Sequence, residues 1–361
     1  MNWKTKKVEL EHPQEESFGD YSTSVALKEA AKSGRDAREL AEELLGKLEE
    51  EGIVGVEKIK IAGAGFINFY LSEEWLISQA EKVVKKGERY GRSSWGKDRR
   101  MLIDYSAPNI AKQFSVGHLR STIIGQAIYN LYDFGGWETI GDNHLGDWGT
   151  QFGMIIAAVE EEDLEIEKMS VKQLEDLYVQ YNKRAKEDKE YQERAREAFA
   201  RLEKGEEKAK EIWEEAVKIS MEEFVKIYDL LDIEIDMALG ESFYEDKMGK
   251  VIEEAKEEGI AVEGEGGAWI VEFDDMPPAM LVKSDGATTY FTRDLATINH
   301  RQTEDELKSD LYIYEVGAEQ KLHFRQVFAA AQKLGWVDKD QLVHVAHGLV
   351  LDSKGKKMST R

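Results

Sequence analysis

The chain has 361 residues, no cysteine and a formal net charge of −23, with 42% of its residues hydrophobic and 34% charged. Disulfides, thiolate metal sites and cysteine nucleophiles are therefore excluded, and no run of roughly 18 apolar residues marks a membrane span. The acidity argues against a general DNA coat or a polybasic membrane binder, but leaves room for an RNA partner held on local Lys/Arg patches.

The length predicts two or three domains, each able to bury a core. The opening, Met1-Asn2-Trp3-Lys4-Thr5-Lys6-Lys7, has no apolar secretory core, and with zero cysteines the expected location is the cytoplasm. Residues 1–90 read as a small α+β domain. A helix opens at Asp36, continues through Leu40, Leu44, Leu45 and Leu48 at helical spacing, and ends before Gly52. Val56-Glu57-Lys58-Ile59-Lys60-Ile61 alternates as a strand, Gly63-Ala64-Gly65 turns, and Phe66 to Leu71 returns as a second strand. A helix from about Glu73 to Val84 leads into a charged, Gly-bearing linker near 85–100. From the residues alone this is equally an accessory packing domain.

Met101-Leu102-Ile103 reads as a buried strand. A loop with Pro108, Asn109, Lys112 and Ser115-Val116-Gly117-His118 follows, then an amphipathic helix carrying Leu119, Ile123, Ala127, Ile128 and Leu131. Strand, polar loop and helix start is the geometry that receives a nucleotide phosphate in open α/β sheets. Residues from about 160 to 232 are helical and acidic. One apolar stripe has Leu174, Leu177, Tyr178 and Tyr181; another has Ile212, Trp213, Ala216, Ile219, Phe224, Tyr228 and Leu231. Gly205 between them predicts an antiparallel pair or a kinked long helix. Strands are expected at 269–273 and 279–282, with Ser284-Asp285-Gly286 as a tight turn. The strand at Tyr312-Ile313-Tyr314, a helix over about 322–334 and a last strand at 342–346 predict a parallel sheet with helices on its faces.

Gly117 lets backbone approach a ligand, and His118 with Lys112 can donate to phosphate oxygens at a helix N-terminus; a capped helix with a surface histidine is the plainer alternative. Glu241, in Gly240-Glu241-Ser242, and Asp294, in Tyr290-Phe291-Thr292-Arg293-Asp294, stand in turn-like contexts. With a tyrosine they can grip a cationic ligand, or they are simply solvated. His344 and His347 are three apart in a strand, on opposite faces, so a metal site is rejected. His300 and His323 read as isolated structural histidines.

Together these segments resemble the arginyl-tRNA synthetases, which are class I aminoacyl-tRNA synthetases. Ser106-Ala107-Pro108-Asn109-Ile110-Ala111-Lys112 is similar to the family's S-P-N-x-A-K, and Ser115-Val116-Gly117-His118 stands where it has H-x-G-H, followed by the same L-R-S-T. Leu145 to Gly153 matches L-G-D-W-G-x-Q-F-G. Gly240-Glu241-Ser242 and the run from Asp285 to Asp294 match two further blocks, and Lys357-Met358-Ser359-Thr360-Arg361 resembles the K-M-S-T-R mobile loop. Phe18-Gly19-Asp20-Tyr21 and Gly65-Phe66-Ile67-Asn68-Phe69 look like the family's N-terminal domain.

The resemblance implies an α/β fold: a Rossmann-like parallel-sheet catalytic domain over 91–361, with a helical insertion at about 160–235, preceded by the α+β domain of residues 1–90 that contacts tRNA. It implies arginine–tRNA ligase activity in translation. ATP, with Mg2+, and L-arginine give arginyl-adenylate and pyrophosphate, and the arginyl group then passes to tRNA(Arg), which the first step generally requires. Lys112, His118 and Lys357 are the implied catalytic residues. Ser115, Gly117, His118, His347, Gly348, Lys357, Met358 and Ser359 are implied for ATP, and Ser106, Asn109, Glu241, Tyr290, Asp294 and Gln320 for arginine. No protein-held metal, DNA or membrane partner is implied, and the full-length form is expected to be a monomer. A pocket built for a guanidinium rejects lysine, whose single ammonium cannot fill a bidentate fork; each lost charged hydrogen bond is worth roughly 1.5–3 kcal/mol, so no editing domain is expected.

Two positions depart from the family. Ser115 replaces the first histidine of H-x-G-H, and Thr360 the last lysine of K-M-S-K, so Lys112 is expected to supply phosphate-stabilising charge. The sequence also ends inside the mobile loop, where the family continues into a helical anticodon-binding domain. A fragment, a truncated gene or half of a split enzyme working with a separate C-terminal chain is the expectation, with poor charging by this polypeptide alone. The alternatives are another class I synthetase and a non-catalytic RNA- or nucleotide-binding remnant.

Overall fold

A computed structural model describes residues 8–351, 353 and 355. The chain divides into two compact units, Met1–Arg92 and Ser93–Arg361. Among the described residues no helix is long and apolar enough to cross a membrane.

In the first unit β1 (Tyr21–Thr23), α1 (Val25–Ser33), α2 (Ala37–Glu51), β2 (Val56–Ala62), β3 (Phe66–Leu71) and α3 (Glu73–Lys86) follow in order. The strands form an antiparallel sheet in the order β1-β3-β2. Asp36 caps α2 by accepting from the N–H groups of Arg38 and Glu39, and Ser72 caps α3 through Trp75 N–H. Leu40, Ala41 and Leu44 of α2 pack on Ile67 and Phe69 of β3 as a small separate core. The strand β1 and helix α1 were not expected; both are short.

The second unit begins with β4 (Arg100–Asp104), α4 (Val116–Phe134), β5 (Glu138–Asp142) and α5 (Thr150–Glu161). The helices α6 (Val171–Glu187), α7 (Lys189–Glu203), α8 (Glu207–Leu231) and α9 (Met248–Glu257) come next. It closes with β6 (Ala261–Glu263), β7 (Trp269–Val271), β8 (Ala279–Val282), α10 (Tyr290–Thr303), β9 (Leu311–Gly317), α11 (Lys321–Lys333) and β10 (Leu342–His347). The sheet β10-β9-β4-β5 is parallel throughout. Leu102 faces the core built on α9, α10 and α11, whereas Met101 and Ile103 face the opposite side with Tyr105 and Trp137. Both faces are covered, which is why β4 reads as an unbroken apolar run. The fold is α/β, with a four-stranded parallel sheet in this unit and a small α+β unit before it.

The structure corrects three readings. The expected apolar stripe of α4 is not its buried face: Ser121, Thr122, Gly125 and Gln126 are buried, while Ile123 and Leu131 are 47% and 68% exposed. A Cβ on Gly125 would lie 2.3 Å from the Cβ of Tyr105, so small and polar residues let this helix lie hard against the sheet. The helical region holds three helices rather than a pair. Gly205, at φ 73°, does separate α7 from α8, but a second break falls at Asp188, whose carboxylate caps α7 through Glu190 N–H. Tyr290 to Asp294 is no turn; it is the first turn of α10, opened by Thr289 at its N-cap.

Candidate functional site

The loop after β4 carries Ser106, Ala107 and Ala111 at φ of 71°, 44° and 58°, left-handed conformations that L residues avoid. Buried side chains hold them there. Asn143 Oδ1 accepts from Ala107 N–H and Ser220 Oγ from Ala111 N–H, each at 3.0 Å. Such strain persists only where the surroundings over-determine it, and it is common at functional sites.

This loop forms one wall of a cavity of about 1080 Å³ at the C-terminal ends of β4, β9 and β10. The cavity brings together Ser106, Asn109, Lys112, Ser115, Gly117, His118, Gln320, His347 and Gly348. Face residues of α6, among them Lys172, Lys183 and Lys186, close another side. Lys357, Met358 and Ser359 lie outside the described residues.

Ser115 is the N-cap of α4, and its N–H donates to His118 Nδ1 at 3.1 Å. An accepting Nδ1 puts the proton of the neutral ring on Nε2. Burial, assisted by the Lys112 charge, lowers the His118 pKa to about 4. The ring is therefore a neutral N–H donor beside a lysine. We expect the His118 ring protons, followed by NMR, to show no titration between pH 8 and 5.5; a midpoint near 6.5 would contradict this environment.

His347 Nδ1 is bonded to Glu315 Oε1 at 2.7 Å, and Glu315 is 1% exposed at the end of β9. Glu315 was missed in the sequence; its only signal was a carboxylate inside the apolar run Tyr312-Ile313-Tyr314-Glu315-Val316. The Gly348 carbonyl accepts from Arg120 Nη1 at 2.6 Å, tying α4 to the segment after β10. The Ser106 hydroxyl bonds Tyr228 Oη and accepts from Thr122 Oγ1, each at 2.8 Å, so it braces the loop.

Glu241, Tyr290 and Asp294 do not line this cavity but form an acidic cluster of their own. Backbone links join the two. Ile110 N–H donates to the Gly146 carbonyl, and Glu241 N–H to the neighbouring Leu145 carbonyl at 3.0 Å. A Cβ on Gly146 would stand 2.7 Å from Asn109 Oδ1, so a side chain there would push the Asn109 carboxamide aside. Asp147 accepts from the N–H and hydroxyl of Ser242, fixing the turn that presents Glu241.

Burial pushes the Glu241 carboxyl up to about 7, against the opposing charge of Arg293. Asp294 is hydrogen-bonded to Nε2 of His323, so this histidine is not an isolated structural one. His323 stands three residues beyond Gln320, which ends the short 3-10 turn Ala318–Gln320. The neighbourhood thus offers a neutral imidazole and a lysine for an anion, and two carboxylates for a cation.

Comparisons with known proteins agree over both units. A family model described as tRNA synthetases class I (R), catalytic domain, matches residues 79–361, and one described as Arginyl tRNA synthetase N terminal domain matches residues 1–71. An arginine–tRNA ligase of Clostridium botulinum is 42% identical over 360 residues, covering 98% of this chain and 62% of the relative. One from Clostridioides difficile is 40% identical with the same coverages. The crystal structure of the Plasmodium falciparum arginyl-tRNA synthetase superimposes with a TM-score of 0.74 at 29% identity, covering 97% of this chain and 62% of that one. The Thermus thermophilus arginyl-tRNA synthetase, at TM-score 0.73 and 20% identity, covers 98% of this chain and 64% of that one and shares the fold. The chain spans about 62% of the length of the curated relatives it matches.

Proposed function

The chain belongs to the arginyl-tRNA synthetases, and on that premise we propose that it activates L-arginine with ATP and passes it to tRNA(Arg), in the cytoplasm. The observation that carries this reading is the adjacency of an anion-receiving cavity at the ends of parallel strands and a half-buried pair of carboxylates, Glu241 and Asp294.

Arginine's carboxylate oxygen attacks the α-phosphorus of ATP, the bond to the β-phosphate bridging oxygen breaks, and pyrophosphate leaves. The 2′-hydroxyl of the terminal adenosine then attacks the arginyl carbonyl, and AMP leaves with the bonding pair. The nucleophiles come from the substrates, so the protein's part is positioning and charge stabilisation. The guanidinium is assigned to Glu241 and Asp294, with Tyr290 beside it, and arginine's polar backbone groups to Asn109 and Gln320. The phosphates are assigned to Lys112, His118 Nε2–H, the N-terminus of α4 and the segment around His347 and Gly348, with Lys357, Met358 and Ser359 of the mobile loop in the same role. Mg2+ would arrive on the nucleotide: among the described residues no group of three or more His, Asp or Glu is placed to hold a metal. The N-terminal unit is assigned to tRNA, supported by Lys58 and Lys60 clustered over the Tyr70 ring on one sheet face.

The test is ATP–pyrophosphate exchange with tRNA(Arg) present, comparing L-arginine with L-lysine. Exchange stimulated by arginine alone is expected, and equal rates with both amino acids would overturn the reading. In the same assay Lys112→Ala is expected to lower the exchange rate by about a hundredfold, the scale of a lost charge-assisted contact at about 3 kcal/mol. A rate near wild type would remove Lys112 from the phosphate site.

A further inference from the structure

One side chain in the acidic cluster has no role in the reading above. Arg293 stands on the first turn of α10 beside Asp294, with its side chain only 11% exposed. Its Nη1 donates to Glu241 Oε2 at 3.1 Å. Its Nε and Nη2 both donate to Glu245 Oε1, at 3.0 and 2.5 Å. The guanidinium carbon lies 5.4 Å from the centre of the Tyr290 ring. One internal guanidinium thus touches two members of a site assigned to an external one, Glu241 and Tyr290.

We propose that Arg293 is a positioning residue for amino-acid selection: clamped from behind by Glu245, it holds Glu241 as an oriented carboxylate and leaves Oε1 to the substrate guanidinium. This rests on the assignment of Glu241 to arginine. Glu245 matters because it takes two of the guanidinium's donors. Arg293 therefore offers Glu241 a single bond at one oxygen and is held back from filling the substrate's place. A planar fork can divide its donors between two carboxylates in this way; an ammonium cannot do so with the same geometry.

The charges facing Glu241 explain why a clamp is needed. Arg293 from α10 and His144 from the loop after β5 favour its ionised form. Burial, Asp294 from α10 and Asp147 from the same loop oppose it, and burial is the largest effect. Without Arg293 the carboxyl would keep its proton at neutral pH. A neutral carboxyl offers the substrate cation no charge-assisted pair.

The experiment is calorimetric titration of the full chain with L-arginine, and separately with ATP, between pH 6 and 8.5. At pH 7, Arg293→Gln is expected to bind arginine about fivefold more weakly, the fall in ionised carboxyl that a one-unit rise from a pKa of about 7 produces. The loss should shrink steadily toward pH 8.5, with ATP affinity unchanged. Arg293→Lys, which keeps the charge, should retain the wild-type pH profile. A loss that is the same at every pH, or no loss at pH 7, overturns the proposal. If Arg293→Gln does not fold by circular dichroism, Glu245→Gln, which leaves the Arg293 guanidinium to Glu241 alone, should shift the arginine pH profile downward; an unshifted or upward-shifted profile overturns the proposal. Glu241→Gln separates the two layers. Unchanged arginine binding in that variant removes the underlying assignment, whereas weakened binding there with a wild-type Arg293→Gln removes the clamp alone.

Discussion

Arg301→Met is expected to lower the free energy of unfolding by about 3–5 kcal/mol, the range for removing one partner of a buried ion pair. Arg301 is 1% exposed on α10, and its Nη2 bonds Asp104 Oδ2 at 2.7 Å and Asp142 Oδ2 at 2.6 Å. These aspartates end β4 and β5, so one guanidinium fastens a helix to the mouths of two neighbouring parallel strands. The other oxygen of Asp142 accepts from Leu239 N–H. The guanidinium also lies over the Tyr314 ring, 5.2 Å from its centre. One cation serves two buried carboxylates, and burial pushes the Asp104 carboxyl above its ordinary range with Arg301 opposing. Removing the cation leaves both acids buried without a counter-charge. Urea denaturation checks the loss, and adding Asp142→Asn to Arg301→Met should recover part of it. A midpoint within error of wild type for the single variant would show that the cluster carries no net stabilisation.

Asp294→Asn is expected to weaken L-arginine binding by about tenfold to a hundredfold, the equivalent of roughly 1.5–3 kcal/mol for one charged hydrogen bond. Asparagine preserves shape and can still accept from His323, so the change isolates charge. ATP affinity should stay within about twofold, and the preference for arginine over lysine should fall because half of the paired-carboxylate recognition is gone. Calorimetric titration with the three ligands reads all of this; an unaltered arginine affinity would place the guanidinium elsewhere. Asp294 and Arg301 are seven residues apart on α10, so the same helix face that anchors the strand ends carries the carboxylate proposed for arginine. Arg301→Met should therefore also weaken arginine binding, through displacement of α10 rather than lost contact.

The parallel sheet was legible because apolar runs and βα alternation are local signals, as at Met101-Leu102-Ile103 and Leu342-Val343-His344-Val345-Ala346. The capped helices were legible for the same reason: Asp36 and its bonds lie within three residues. The face of α4 was not legible. Ile123 and Leu131 have the periodicity of a buried stripe, yet helix-to-sheet distance favoured Gly125 and Ser121, and no local rule reports that distance.

His323 looked isolated because its partner lies 29 residues earlier, and Glu315 looked out of place until His347, 32 residues later, stood beside it. Arg293 drew no attention because its carboxylates are about fifty residues away.

By itself the sequence determined the membership of the chain and its sheet, since each is written in short contiguous blocks. The tertiary structure alone decided how those blocks are electrically matched: which carboxylates share Arg301, which oxygen of Glu241 is left by Arg293, and that the His118 ring is neutral. These depend on burial and on distances of about 3 Å between segments far apart in the chain, and electrostatics in a low-dielectric interior is set by those distances.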